Sequence, residues 1–119
     1  MSILSKNVAA LVIDHCIRHD YALELHKGTG LGGIKRILNS RIIGPISDCV
    51  DALSDALEGR GGWSRMEFKV DQPGCFFSIN FEYFQQAPMV EDVEALLYIV
   101  YTHLGPTSFN AEHEEEAWE

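Results

Sequence analysis

Apolar residues along the chain fall into two rhythms, one of helices and one of strands. Val8, Leu11, Val12 and Cys16 recur at i, i+3, i+4 and i+8, the spacing of one buried helical stripe, so residues 6–18 are expected to form a helix. Ser5 is placed to cap it and His19-Asp20 to end it. Residues 47–58 repeat the pattern, with Ser47 as the cap, Val50, Leu53, Ala56 and Leu57 as the stripe, and Gly59 as the stop. The third run, 90–104, carries Val93, Leu96, Leu97, Val100, Tyr101 and Leu104. Its first turns hold Glu91, Asp92 and Glu94, as the helix dipole favours, and Gly105-Pro106 closes it.

Between the second and third helical runs the period changes to two. Across 63–70, Met66, Phe68 and Val70 alternate with Arg65, Glu67 and Lys69; across 77–84, Phe77, Ile79, Phe81 and Tyr83 alternate with Ser78, Asn80 and Glu82. Asp71-Gln72-Pro73-Gly74 joins them as a turn, and the pair reads as an antiparallel hairpin with one apolar face. Residues 21–26 alternate as a further short strand, with helix continuation as the alternative. Residues 34–43 fit a short helix as well as a strand end. The stretch 28–33 holds four glycines in six residues and is expected to be a loop, because so much glycine makes an ordered helix costly. The expected fold class is α+β: an antiparallel sheet centred on the hairpin at about 63–84, with helices on one face, in a single domain over 1–109 followed by an acidic tail, 110–119.

Composition limits what such a domain can do. The 119 residues are 46% hydrophobic and 23% charged, ordinary for one folded domain. No apolar run approaches the roughly 18–20 residues of a membrane span, and the N-terminus lacks a secretory pattern, so a cytoplasmic address is expected. Cys16, Cys49 and Cys75 lack the spacing of a disulfide framework or a zinc ribbon and read as reduced, mostly buried thiols. The net charge is −9, and the whole excess falls in residues 63–119, which carry Arg65 and Lys69 against eleven carboxylates. An acidic surface repels nucleic acid and attracts basic partners, which argues against direct nucleic-acid binding.

Few constellations point to chemistry. Residues 28–33 match G-x-G-x-x-G, but a phosphate cradle needs the strand-loop-helix setting of a larger parallel fold, which the downstream hairpin contradicts. His15 and His19 share a helical face and could share a metal, yet only His26 offers itself as a third ligand. No catalytic residue, cofactor or metal site is therefore assigned. The acidic positions are more extensive. Asp48, Asp51, Asp55 and Glu58 form one continuous face of the second helix with no Lys or Arg between them, a pattern suited either to solvation or to docking a basic protein. In the tail, Glu112, Glu114, Glu115 and Glu116 precede Trp118, an aromatic anchor that either packs back on the domain or meets a partner.

The segment 63–83 resembles the YezG-like family of bacterial immunity proteins, in which a Trp opens a strand, a turn carries Gly, and a second strand reads F-x-I-x-F-x-Y. Here these are Trp63, Gly74 and Phe77-Ser78-Ile79-Asn80-Phe81-Glu82-Tyr83. Tyr101-Thr102-His103-Leu104-Gly105-Pro106 is similar to the close of the family's last helix. The likeness covers about a third of the chain; one extra residue separates Gly74 from Phe77, and Tyr98 stands where a Trp is more typical. The resemblance implies an antitoxin that covers the active cleft of a cognate toxin domain, commonly a basic nuclease, with no catalysis of its own. The acidic residues named above are its expected contacts. The alternatives are another acidic protein-blocking inhibitor, such as a phage anti-defence protein, or a small ligand- or phosphate-binding domain built on the glycine loop.

Overall fold

Four short antiparallel strands in the order β2-β1-β3-β4 form the sheet of a computed structural model that describes residues 3–28, 31–38, 45–86 and 89–105. They are β1, Ala22–His26; β2, Ile34–Leu38; β3, Arg65–Lys69; and β4, Phe76–Asn80. The helices are α1, Ile3–His19; α2, Ile46–Leu57; α3, Glu82–Gln86; and α4, Val90–Leu104. The fold class is α+β, as the two rhythms predict. None of the described helices is long and apolar enough to cross a membrane.

Strand register explains which face is buried. Leu23 lies opposite Phe68 and Leu25 opposite Met66 across β1–β3, and Ile79 and Phe77 of β4 continue these rows beyond β3. Leu23, Leu25, Met66 and Phe68 are completely buried against Val8, Val12 and Cys16 of α1, Leu53 of α2, and Val93, Leu97 and Val100 of α4. The helical stripes and one sheet face thus close on each other as a single core, which removes apolar area from water at about 25 cal/mol per Å².

The boundaries differ from the sequence expectations at identifiable points. Helix α1 begins at Ile3, so Ser5 lies inside it; it ends at Asp20, whose φ of 57° reverses the chain and lets the Tyr21 N–H reach the Cys16 carbonyl at 2.9 Å. Pro45, not Ser47, is the N-cap of α2, and no side chain caps it. The expected 77–84 strand ends at Asn80. Phe81 and Phe84 are both buried, and that three-residue spacing turns the chain into the short helix α3. Residues 34–38 of the ambiguous segment form a strand; 41–43 lie outside the described residues, as does the acidic tail. At the far end, Tyr21 donates its hydroxyl to the Gly105 carbonyl at 3.0 Å and ties the end of α4 to the start of β1.

Candidate functional site

Alternation places Glu24 and His26 on the face of β1 opposite the core, and Arg65, Glu67 and Lys69 on the same face of β3. Antiparallel register then sets Glu24 directly across from Glu67, and His26 across from Arg65. Two like charges in opposed positions repel, so the pair persists only with cations interleaved. Strand β2 contributes the first, Arg36, opposite Glu24. Its Nη2 and Nε donate to Glu24 Oε2 at 2.6 and 3.0 Å. Arg65 Nε donates to Glu67 Oε2 at 3.2 Å, while its Nη1 donates to the Gly28 carbonyl.

Both remaining carboxylate oxygens turn toward one point. His26 Nε2 lies 3.1 Å from Glu24 Oε1 and 3.6 Å from Glu67 Oε1, and the Lys69 ammonium lies 3.0 and 3.9 Å from the same two oxygens. The Glu24, His26 and Glu67 side chains are only 3, 7 and 8% exposed. Burial by itself would raise the Glu24 carboxyl, but hydrogen bonds from Arg36, Lys69 and His26 outweigh it and hold the group down at about 2. The donor set of two carboxylates and an imidazole suits a divalent transition metal, and these three are the residues among those described whose ligand atoms converge in this way.

The expected docking residues are dispersed. Asp48 and Asp51 stand exposed on α2. Asp55 and Glu58 are engaged by Arg60 of the following turn, at 3.3 and 3.9 Å, so the cation missing from the helix itself arrives from its C-terminal side. Glu112, Glu114, Glu115, Glu116 and Trp118 lie outside the described residues. His15 and His19 do meet on α1, with ring centroids 4.5 Å apart, beside Tyr21 and Tyr101. They line a cavity of about 470 Å³ between α1 and α4, together with Asp14, Arg18 and Glu94. Burial and the neighbouring His19 push His15 down to about 4. His26 belongs to the other side of the sheet and is no third ligand for this pair.

The glycine loop also departs from a phosphate cradle. Its second half, Leu31–Gly33, is one 3₁₀ turn that leads into strand β2 rather than into the helix N-terminus that such a cradle uses. The Lys27 N–H donates to the Gly33 carbonyl at 2.7 Å, closing the β1–β2 hairpin. A Cβ on Gly33 would lie 2.7 Å from Lys27 Cβ, so close backbone approach accounts for that glycine without a ligand. Cys16 and Cys49 are buried with thiols pushed up by burial, which leaves them inert at neutral pH.

Comparison with protein-family models, with curated proteins and with solved structures finds no match for this chain.

Proposed function

We propose that this protein is an immunity protein: it binds a cognate toxin domain, covers its active cleft and performs no catalysis of its own. The observation that carries the reading is the outward edge of α2, where Asp48 and Asp51 are exposed on a helix whose other side is anchored in the core by Leu53 and Ala56. A rigid helix that presents carboxylates can dock on a basic cleft without losing much conformational freedom, and complementary charge speeds the encounter. The net charge of −9 supports the same kind of partner, as does the resemblance of 63–83 to YezG-like immunity proteins.

The test is co-purification of the tagged chain with the product of the adjacent upstream gene, followed by an activity assay on that product. A stoichiometric complex with a silenced toxin is the expected outcome, and absence of any complex would overturn the reading. Within such a complex, the double variant Asp48→Lys/Asp51→Lys should slow association at least about tenfold at low salt while costing only about 1 kcal/mol of stability, since both side chains are exposed and only Asp48 lies in the first turn of α2. Unchanged association kinetics would remove α2 from the interface.

A further inference from the structure

We propose that Glu24, His26 and Glu67 form a binding site for a divalent transition metal, in which Zn²⁺ takes the place of the Lys69 ammonium. The three ligand atoms converge within 4.8 Å of one another. Zinc bonded to oxygen and nitrogen at about 2.0–2.1 Å in a tetrahedron holds its ligand atoms about 3.3 Å apart. His26 Nε2 stands 3.1 and 3.6 Å from the two Oε1 atoms, on either side of that value. Each carboxylate is oriented from behind, because Arg36 and Arg65 occupy the Oε2 atoms and leave both Oε1 atoms facing the imidazole. Outer partners of this kind fix ligand direction in metal sites.

Lys69 occupies the position a cation would take, and it can leave. Its side chain is 35% exposed, unlike the three ligands, and a four-carbon stem can carry the ammonium into solvent. The exchange adds one positive charge to the cage, in a molecule whose net charge is −9. It also shifts a proton within His26. With Lys69 in place, the network assigns the proton to Nε2, which donates to Glu24 Oε1, while Nδ1 faces Arg65 Nη2 at 3.4 Å. Zinc takes the Nε2 lone pair, which requires the Nδ1–H tautomer. Arg65 gives up its Nη2 contact and keeps Glu67 and the Gly28 carbonyl. Water completes the fourth coordination position on the solvent side of the ion.

Titration calorimetry of the full chain with ZnCl₂ tests this, with MgCl₂ as the hard-cation control. Zinc is expected to bind at one site with a dissociation constant below about 10 μM, and magnesium to give no heat. Lys69→Met should tighten zinc binding at least about tenfold by removing the competing ammonium, and Glu67→Gln should weaken it by a similar factor. His15→Gln/His19→Gln should leave it unchanged, which separates the cage from the histidine pair on α1. The proposal is overturned if wild-type protein binds no zinc at millimolar concentration, if binding appears only in Lys69→Met, or if binding is lost with the α1 histidines. Should Glu67→Gln fail to fold, the Lys69→Met arm still decides.

Discussion

Two ionisable side chains, the buried Glu24 and the half-buried His15, contribute to how this protein responds to acid, and they do so in different pH windows. His15 has a folded value of about 4 against 6.5 when unperturbed, because burial between α1 and α4 disfavours its charged form and His19 and Arg18 oppose it. Asp14 favours the charged form, and Glu94 and Tyr101 face the same cavity from α4. A basic group with a depressed folded value leaves stability untouched above its unfolded value and lowers it as pH falls toward the folded one. The His15 contribution is therefore lost between about pH 6.5 and 4. Glu24 is depressed from 4.5 to about 2 by its three donors, so its contribution is complete above pH 4.5 and lost as pH falls toward 2. Urea denaturation followed across pH should show both stages. His15→Gln should flatten the upper one alone. Glu24→Gln should cost about 2 kcal/mol at pH 7, because the buried side chain loses its charge-assisted hydrogen bonds from Arg36, Lys69 and His26, and should flatten the lower stage.

At the scale of elements, the boundary between β4 and α3 is the most instructive. Alternation from Phe77 to Tyr83 reads as one strand, and the aromatic composition reinforces it. Strand pairing nevertheless stops at Asn80, and the Phe81 N–H donates to the Ser64 carbonyl at 3.0 Å. Burying both Phe81 and Phe84 requires helical spacing, and the gain in burial overrides the local preference. Phe84→Ala should accordingly destabilise by about 3 kcal/mol. Phe76→Ala, on a strand residue that is 53% exposed, should stay within about 0.5 kcal/mol. Chemical denaturation of both variants checks the pair, and equal effects would refute the assigned burial. The glycine loop illustrates the converse. Its composition marks a break between β1 and β2, which the 3₁₀ turn Leu31–Gly33 supplies among the described residues, whereas the motif it matches depends on a helix, and a strand follows that turn.

At the scale of the molecule, the two layers carry opposite charge. Among the described residues, Lys27, Lys35, Arg36, Arg65 and Lys69 lie on or beside the strands, against the buried Glu24 and Glu67 and the turn residue Asp71. The helices expose Asp14, Asp48, Asp51, Glu91, Asp92 and Glu94, and their only Lys or Arg residues are Lys6 and Arg18 of α1. A molecule polarised in this way orients as it approaches a basic partner, helices first. Association with such a partner should slow at least about tenfold between 0.05 and 0.5 M salt, as screening contracts the field to a few Å. Stopped-flow rates over that range are the measurement, and a flat profile would mean that long-range steering plays no part.

Sequence alone determined what depends on local spacing. The three helical stripes, the β3–β4 hairpin with its turn, the looped glycines and the acidic edge of α2 follow from periods of 3.6 and 2, which the chain carries within any short window. Period two also places Glu24 with His26, and Arg65 with Glu67 and Lys69, on common faces. Only the tertiary structure decided that those faces are one. The pairing of Glu24 with Glu67 spans the whole of β2 and α2, and its register is set by the fit of Leu23 and Leu25 against Phe68 and Met66 on the buried side. A single-residue slip would turn every one of these side chains to the other face, so the core fixes the cage, and no local pattern could announce it.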